Sequence, residues 1–427
     1  MKKIVISTIG SFGDVHPYVA IALELKKRGH RPVIATSEIY REKTDALGLE
    51  LHPVPPDLPS YDRPEEIARM VAELIDTKKG SERVFKQFIN PHLPAMYEAL
   101  SEATRDADLL TTHVLSLVGP PLVEKTGIKW VSTVLAPISF FSDYDPPVLP
   151  QMPWLYQVLK HSPSLAHAVM RFGRWRLDQL AAPVYRLRAE LGLPRGRSPL
   201  LEGQHSPRMV LALFSRVLAE PQTDWPPRTR VTGFPFYDRR DRAGDASGLD
   251  PALEEFLNKG EPPVVFTLGS SAIWVAEDFY SESVKASASL GVRALLLIGE
   301  ERNRPAGLPE GVAAFEYAPY GELLPRARAV VHQGGVGTTA QGLRAGIPSL
   351  VVPFSHDQFD NGSRVARAGA GRMLPRSKYD AASAARELRA MLTDESYTSR
   401  AAEVGRQVRS ENGAVAAADA IEEVLRD

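Results

Sequence analysis

The sequence lacks several features that would point to particular protein classes. None of its 427 residues is cysteine, which excludes disulfides and thiolate metal sites. Its 51 Lys and Arg residues almost cancel its 52 Asp and Glu residues, whereas nucleic-acid-binding proteins usually carry a basic excess. No uncharged apolar run approaches the roughly 20 residues that a membrane span needs. We therefore expect a cytoplasmic protein with no nucleic-acid partner and no integral membrane segment.

The first half of the chain alternates apolar strands with amphipathic helices. Gly10–His16 predicts a glycine-containing turn, after which Pro17 is expected to open a helix. Such alternation indicates a parallel, doubly wound α/β sheet. Four strands are predicted in this half, at Lys3–Thr8, Pro32–Thr36, Leu109–Thr112 and Lys129–Leu135.

A stretch rich in proline, aromatic and basic residues interrupts this pattern between Phe140 and Gly203. It contains a helical pattern over Ala166–Leu191, which we expect to be kinked or broken at Pro183. An excursion of this kind inside an α/β domain is typical of a substrate-facing insertion rather than of the framework.

A second strand-and-helix series begins after a charged, glycine-containing stretch with a short helix at Pro251–Asn258. Its predicted strands are Pro263–Leu268, Arg293–Ile298, Val312–Tyr317, Ala329–His332 and Ser349–Pro353. We therefore predict two Rossmann-like domains facing a cleft, with ligands beyond the carboxyl ends of the strands. The predicted boundaries are residues 1–237 for the first domain, 238–261 for a linker, 262–400 for the second domain and 401–427 for a helical tail.

The strongest chemical signal is the segment His332–Thr339, HQGGVGTT. An apolar strand runs into a turn with three glycines and then into a helix. Glycines let the backbone approach an anion closely, and a helix N-terminus offers unpaired N–H groups. Neither a Walker A motif nor GxGxxG fits this spacing. The segment predicts a phosphate-binding turn made of His332, Gln333, Gly334, Gly335, Gly337 and Thr338.

Two further strand ends carry polar or aromatic residues. Asp357 and Gln358 follow the strand that ends at Pro353, where they can hydrogen-bond sugar hydroxyls or, alternatively, cap a helix. Tyr317 and Tyr320 follow another strand and are suited to stacking on a base, although ordinary packing at a strand end explains them as well.

Taken in order, these motifs resemble the donor-binding signature of inverting family-1 glycosyltransferases of the GT-B fold, which are related to UDP-glycosyltransferases. The opening Gly10-Ser-Phe-Gly-Asp-Val-His-Pro17 resembles the GSxGDVxP motif of the bacterial branch that includes sterol, antibiotic and rhamnolipid enzymes. The resemblance covers nearly the whole chain. It implies two Rossmann-like domains, with C-terminal helices that pack back on the N-terminal domain.

The resemblance also implies roles for donor-site residues. Tyr317 takes the place of the aromatic residue that stacks on uracil or thymine, Ser270 that of a phosphate- or nucleoside-contacting serine, and Asp357 with Gln358 that of the pair reading the sugar. The phosphate-contacting side chain is either His332 or Gln333. Gln341 replaces the glutamate that grips the ribose hydroxyls. A UDP-sugar is expected as co-substrate. The neutral Gln341 amide tolerates a 2′-deoxyribose more easily than the usual glutamate does, so a dTDP-sugar is the alternative.

Inverting transfer needs a base that accepts the proton of the acceptor hydroxyl. Asp14 stands at the position of the catalytic base in the resembling branch, although on sequence grounds it also fits a cap of the helix expected from Pro17. His16 is a weaker candidate base, and His113 is a candidate for orienting Asp14 or contacting the acceptor. Asp143-Tyr144-Asp145 is similar to a metal-binding DxD triplet, but we interpret it as loop capping and expect neither a metal nor another cofactor.

The acceptor is expected against the first domain, near Phe12, Phe140, Phe141 and Trp154. These apolar side chains favour a small hydrophobic alcohol or phenol, such as a sterol, terpenoid or other natural product. The basic and aromatic helix around Arg171–Arg188 is either a solvated face or a contact with a membrane that carries a lipid acceptor.

The sequence leaves three alternatives to a glucosyltransferase that uses UDP-glucose. The first is a dTDP-rhamnose-dependent enzyme acting on a lipid-like hydroxy acid, because Thr232–Asp238 and the run from His356 to Asn361 resemble the rhamnolipid type. The second is a nucleotide-sugar epimerase of the same fold. The third is a non-catalytic carbohydrate-binding relative, which is disfavoured because Asp14, Asp357 and Gln358 are all present.

Overall fold

The computed structural model of the chain describes residues 1–59, 62–238 and 248–427. By its internal contacts the chain divides into two compact units. Unit 1 consists of Met1–Ile67, Lys78–Tyr237 and Glu411–Asp427, and unit 2 of Ala68–Thr77 and Asp238–Ser410. Both units are therefore discontinuous in sequence.

Unit 1 is built on a parallel sheet of seven strands. The strands are β1 Lys3–Ser7, β2 Arg31–Thr36, β3 Glu50–Pro53, β4 Leu109–Thr112, β5 Lys129–Val134, β6 Val210–Ala212 and β7 Thr229–Val231. Their spatial order is β3-β2-β1-β4-β5-β6-β7. The interior strand β1 pairs Val5 with Val33 on one side and Leu110 on the other. It is apolar because helices cover both faces of a parallel sheet.

The helices of the first half of the chain follow the strands in turn. They are α1 Phe12–Lys27, α2 Arg41–Ala46, α3 Pro64–Leu74, α4 Gly80–Arg83, α5 Leu93–Thr104, α6 Gly119–Thr126, α7 Leu155–Leu159, α8 Pro163–Leu180 and α9 Ala182–Glu190. A π-helix spans Val84–Ile89, and single 3₁₀ turns lie at Glu38–Tyr40, Asn90–His92, Pro137–Phe140 and Glu202–Gln204.

Unit 2 contains a second parallel sheet, of six strands in the order β10-β9-β8-β11-β12-β13. The strands are β8 Val264–Thr267, β9 Ala294–Leu297, β10 Val312–Phe315, β11 Ala329–His332, β12 Ser349–Val351 and β13 Gly371–Met373. The helices of this half are α10 Pro251–Asn258, α11 Gly269–Ala272, α12 Phe279–Leu290, α13 Tyr320–Leu323, α14 Val336–Ala345, α15 Gln358–Arg367, α16 Ala381–Thr393, α17 Glu395–Ser410 and α18 Gly413–Arg426. Single 3₁₀ turns lie at Ile273–Val275, Glu301–Asn303, Leu324–Arg326 and Arg376–Lys378.

The two C-terminal helices belong to different units. α17 packs on α14 in unit 2, whereas α18 packs on α1 and β5 in unit 1. Arg28, the C-cap residue of α1, anchors α18 by ion pairs to Asp419 at 2.6 Å and Glu422 at 3.1 Å. The apolar face of α18, which includes Ala417 and Ile421, is fully buried, so packing rather than length stabilises this helix of 14 residues.

The predicted α/β class with two Rossmann-like sheets is confirmed, and all nine predicted strands are present within one or two residues. The predicted start of the first helix was wrong. α1 begins at Phe12, not at Pro17, because Ser11 and Asp14 form a capping box one turn and a half earlier. The pattern over Ala166–Leu191 is broken as predicted, with Ala181 separating α8 from α9 and Pro183 in the first turn of α9.

Part of the predicted linker, residues 239–247, lies outside the residues that the structure describes. In the described part, the predicted helix Pro251–Asn258 is present as α10, capped by the Asp250 carboxylate. Within those same residues, no helix has the length and apolar character needed to cross a membrane.

Candidate active site

The turn between β1 and α1 holds Asp14 in a fixed position. Ser11 is the N-cap residue of α1, and its hydroxyl accepts from the Gly13 N–H at 3.3 Å. In return, Asp14 Oδ2 accepts from the Ser11 N–H at 2.9 Å and from the Ser11 hydroxyl at 3.3 Å. Gly10 has φ +134°, and a side chain there would collide with the Asp14 carboxylate. The turn therefore needs glycine so that this carboxylate can fold over it.

Burial raises the pKa of Asp14 from 3.8 to about 6, although the hydrogen bonds from Ser11 act in the opposite direction. Desolvation penalises the charged form of a carboxyl group, whereas hydrogen bonds donated to it favour that form. A carboxyl group with this pKa is mainly ionised at pH 7, yet it is a stronger base than an exposed aspartate. These are the properties of a general base.

The two candidate histidines near this turn are neutral. Burial lowers the pKa of both His16 and His113 to about 3. The His16 ring lies between Phe12, at 5.1 Å between ring centroids, and Tyr237, at 5.3 Å. His113 packs edge-on against Tyr18 at 6.0 Å, and Tyr18 in turn bonds Thr133 at 2.5 Å. The structure thus places both rings in packed aromatic surroundings.

The glycine turn after β11 has a different construction. Gly335 is the N-cap residue of α14. Among the described residues, no side chain caps this helix by a hydrogen bond, and its first turn contains no acidic residue. Its first N–H groups lack partners within the helix. Gly337 is exposed, and a Cβ there would meet no described atom within 4 Å. Gly334 instead needs to be glycine, because its φ is +91° and a Cβ would lie 2.6 Å from Val351.

Gln333 and Thr338 line this turn. The Gln333 Nε2 group donates to the Thr338 hydroxyl at 3.4 Å, and it lies against Gly269, which has φ +60°. The two glycine turns of unit 2, after β8 and after β11, therefore meet at the Gln333 amide. Tyr320 adds a hydroxyl that bonds Thr267 at 2.8 Å and also reaches Thr338.

His332 faces the interior. Its side chain is fully buried, and Nδ1 accepts from the Gly334 N–H at 3.0 Å. Burial lowers its pKa to about 3, so the ring is neutral at pH 7 and the proton resides on Nε2. His332 thereby holds the shape of the turn.

The loop before α15 is tied down by amide side chains. Asp357 occupies the N-cap position of α15 without a side-chain cap bond, because its Oδ2 accepts from Asn361 Nδ2 at 2.7 Å. The same Asn361 amide reaches the Gly334 carbonyl at 2.9 Å, which links the loop to the glycine turn. Gln358 Oε1 accepts from the Phe354 N–H at 2.8 Å and the Ser355 N–H at 3.2 Å. The Gln358 amide oxygen therefore holds this loop in place.

A segment from the first half of the chain fixes this loop from the other side. Thr77 donates to the Phe354 carbonyl at 2.8 Å, and the Ser355 hydroxyl donates to the Asp76 carbonyl at 3.3 Å. His356 has φ +54°, unusual for a residue with a side chain, and its ring bonds the backbone of Leu74. These contacts explain why Ala68–Thr77 belongs to unit 2.

Gln341 on α14 is held by charged neighbours. Its Nε2 donates to Asp238 at 2.6 Å, and its Oε1 accepts from Arg344 at 2.7 Å. Arg344 also pairs with Asp238 at 2.7 Å. Both ends of the amide therefore have protein partners. Of the remaining predicted donor residues, Ser270 lies half-buried in α11 and Tyr317 is 38% exposed after β10.

The predicted acceptor residues fall into separate clusters. Phe12 packs with Tyr40, at 5.4 Å between ring centroids. Phe140 stacks on Trp225 at 4.1 Å, and Phe141 is buried against Met170 and Leu201. Trp154 is 63% exposed.

The Asp143-Tyr144-Asp145 triplet is tied to protein groups. Asp143 contacts Arg174 at 2.8 Å and His167 at 2.7 Å, while the Ser142 hydroxyl accepts from the N–H groups of Tyr144 and Asp145. Both Asp143 oxygens therefore already have side-chain partners in the protein. Among the described residues, no group of three or more His, Asp or Glu side chains is arranged to hold a metal ion.

Three positioning features had no signal in the sequence: the Asp238 contact with Gln341, the Thr267–Tyr320 bond, and the contacts of Leu74–Thr77. Each joins residues that are far apart in the chain. Local periodicity carries no information about contacts between distant residues, so only a map of residue contacts would have indicated these features.

Comparisons with known proteins show the family of the chain. Residues 4–102 match the glycosyltransferase family 28 N-terminal domain, and residues 292–424 match the erythromycin biosynthesis protein CIII-like C-terminal domain. The chain is 31% identical to the O-mycaminosyltylonolide 6-deoxyallosyltransferase of Streptomyces fradiae, over 99% of this chain and 97% of that one. It is 30% identical to a sterol 3-beta-glucosyltransferase of Cryptococcus neoformans over 98% of this chain, but it spans only 27% of that relative's length.

Solved structures of similar fold cover the whole chain. The glycotransferase of kitacinnamycin superimposes with a TM-score of 0.69 at 23% identity, covering 99% of each chain. A spinosyn rhamnosyltransferase in complex with thymidine diphosphate gives a TM-score of 0.64 at 20% identity, covering 99% of this chain and 100% of that one. At these identities the likeness shows the fold, which is the GT-B architecture of two Rossmann-like domains.

Proposed function

Because the chain belongs to the family-1-like GT-B glycosyltransferases, together with antibiotic and sterol glycosyltransferases, we propose that it transfers a hexose with inversion to a hydroxyl group of a small hydrophobic acceptor. The donor is a nucleoside diphosphate sugar, and Asp14 is the base. The single observation that carries this proposal is the Asp14 carboxylate, fixed by Ser11 in the β1–α1 turn with its pKa raised to about 6.

The proposed step is one displacement. The acceptor oxygen forms a bond to the anomeric carbon while the bond from that carbon to the diphosphate oxygen breaks. The nucleoside diphosphate leaves with the electron pair, and the acceptor proton passes to Asp14. A positioned base of this kind contributes about 10²–10⁴-fold to a rate. His16 and His113 are less suited to this role, since burial lowers the pKa of each to about 3.

In this proposal the N-terminus of α14 binds the diphosphate of the donor. Its N–H groups and positive dipole end favour an anion, and the exposed Gly337 lets phosphate oxygens approach the backbone. Gln333 and Thr338 supply side-chain donors. We assign the phosphate contact to Gln333 because its amide lies beside the Thr338 hydroxyl and the Gly269 turn, whereas the His332 Nδ1 already accepts from the Gly334 N–H inside the turn.

The loop before α15 is the proposed sugar-reading element. The Gln358 amide nitrogen donates to a sugar hydroxyl while its oxygen holds the loop, and Asp357 accepts while Asn361 orients it. A hydrogen bond from a sugar hydroxyl to the Asp357 carboxylate is charge-assisted and about twice as strong as the neutral bond from the Gln358 amide. No divalent metal is required in this scheme, and we expect activity to persist in excess EDTA.

One contact favours a second candidate for the donor, a dTDP-linked deoxyhexose in place of UDP-glucose. A UDP donor offers a ribose 2′-hydroxyl that a carboxylate would bind well, but the Gln341 amide is neutral and both its ends already bind Asp238 and Arg344. Such a site gains little from the 2′-hydroxyl. The similar spinosyn rhamnosyltransferase was solved with thymidine diphosphate, and the Streptomyces fradiae relative transfers a 6-deoxyhexose.

The test is a transfer assay with a panel of hydrophobic alcohols and phenols, run with UDP-glucose and with dTDP-linked glucose and rhamnose. We expect a glycoside whose anomeric configuration, read by NMR, is opposite to that of the donor. A retained configuration would refute the mechanism. Conversion of the donor sugar in the absence of any acceptor would instead support an epimerase.

A further inference from the structure

Helix α8 carries an apolar stripe on its solvent side. Of the described large hydrophobic side chains that are exposed, Leu165 (41%), Phe172 (63%) and Trp175 (55%) lie on this helix. With Ala168, which is also exposed, they recur at helical spacing along one side. The rings of Phe172 and Trp175 contact each other at 5.7 Å between centroids. We call these four residues, with Arg171 and Arg176, the α8 outer face.

The opposite side of α8 already has its own packing partners. Ala166 and Met170 are buried, and Gly173 lets the helix approach the Phe141 ring, which a Cβ would reach at 3.0 Å. Arg174 fixes the helix further through Asp143 and the Phe141 carbonyl. The outer face is therefore apolar surface in addition to what the fold buries, and such patches mark interaction sites.

The exposed charged side chains of α8 itself are of one sign. The exposed positions of α8 include Arg171 and Arg176 but no aspartate or glutamate. Asp178 is only partly exposed and pairs with Arg195 at 3.0 Å. Arg176 lies within electrostatic range of Glu82, which Lys86 already binds at 2.5 Å. The face thus presents phenyl, indole and guanidinium groups together.

We propose that the α8 outer face docks this protein on an anionic phospholipid surface. Aromatic and leucine side chains flanked by arginines are the composition of helices that lie in the membrane interface, and each arginine near an anionic surface strengthens binding about fivefold. A second copy of the chain suits the face less well. A two-fold contact would bring like charges together, and the exposed apolar side chains offer roughly 300 Å², well below the ~800 Å² per partner of a stable interface.

Vesicle sedimentation with the full chain tests this proposal. We compare phosphatidylcholine vesicles with and without phosphatidylglycerol, at low and high salt. Binding is expected only to the anionic vesicles, weakening as salt screens the arginines. The double variant Arg171→Glu/Arg176→Glu should reduce partitioning by more than tenfold, and Phe172→Ser/Trp175→Ser by a similar factor. Arg105→Glu, at an exposed arginine in the turn that follows α5, is the control and should bind as the unaltered chain does.

Two further measurements keep the outcome decisive. Thermal unfolding should show that both double variants are folded, since the changed side chains point to solvent, and transfer to a water-soluble acceptor should be unchanged. Equal binding to both vesicle types, or binding that neither double variant weakens, would overturn the proposal. So would size-exclusion chromatography showing a dimer that the variants dissociate, with no vesicle binding, because the face would then join two copies of the chain.

Discussion

The glycine turn after β1 in unit 1 and the glycine turn after β11 in unit 2 both lead from a strand into a helix. They differ in the group that lies at the N-terminus of that helix. In the β1–α1 turn the chain supplies its own anion, since Asp14 folds back onto the Ser11 N–H. In the β11–α14 turn the helix begins at Gly335 with no side-chain cap among the described residues and no acidic residue in its first turn. The same local structure therefore presents a base in one unit and offers donors to an anionic ligand in the other.

The largest expected effect comes from removing the charge of the first turn. Asp14→Asn should lower kcat by about 10²–10⁴-fold, because the amide cannot accept the acceptor proton. The donor Kd, measured by calorimetry, should stay within twofold, since the second turn is untouched. The asparagine oxygen can still accept from Ser11, so a lost fold is not the expected explanation. Turnover within a few-fold of the unaltered enzyme would exclude Asp14 as the base.

The second turn is probed by adding a side chain where a ligand is expected. Gly337→Val should raise the donor KM or Kd by about 10–100-fold, since each 1.4 kcal/mol of lost binding is a factor of ten. The fold should tolerate the change, because a Cβ at Gly337 meets no described atom within 4 Å.

Gly334→Val is the matched control for that variant. Its φ is +91° and its Cβ would lie 2.6 Å from Val351, so it should lower the melting temperature strongly instead. If Gly337→Val binds the donor normally, the diphosphate does not lie at this helix start.

The features of these two turns that were predictable are those with a signal in the local sequence. The buried strands and the glycine positions were predictable, because apolar runs and turn residues are read within a few positions. The start of α1 was mispredicted because Pro17 suits the first turn of a helix, yet the Ser11–Asp14 capping box begins the helix five residues earlier. Two other features could not be predicted from local sequence. The contact of Thr77 with Phe354 joins residues 277 positions apart, and the φ of +54° at His356 occurs at a residue that is not glycine.

The pH dependence should report the first turn directly. Since the pKa of Asp14 is raised from 3.8 to about 6, and the base must be ionised, kcat/KM should fall about tenfold per pH unit below pH 6. The sign for stability is the reverse. The folded chain holds the Asp14 proton between pH 3.8 and 6 while the unfolded chain has lost it, so the free energy of unfolding falls as pH rises through this window.

A comparison with Asp14→Asn isolates that contribution. The melting temperature of the unaltered chain relative to the variant should decrease between pH 4 and pH 7. A pH-rate profile that stays flat down to pH 4.5 would show that no group with a pKa near 6 controls the reaction.

The smallest expected effect comes from removing the helix cap at Ser11. This change distinguishes the role of Ser11 in capping α1 from its effect on the pKa of Asp14. Ser11→Ala removes the hydroxyl that accepts from the Gly13 N–H and donates to Asp14, which should cost about 1 kcal/mol of unfolding free energy. The Ser11 hydrogen bonds lower the pKa of Asp14, so losing one should move the acid limb of the pH-rate profile upward while the donor Kd is unchanged. Urea unfolding and the pH-rate profile measure the two effects independently. A shift in stability without a shift in the acid limb would mean that Ser11 only caps α1. The first turn would then differ from the second in carrying the Asp14 carboxylate, but Ser11 would not set the pKa of that carboxylate.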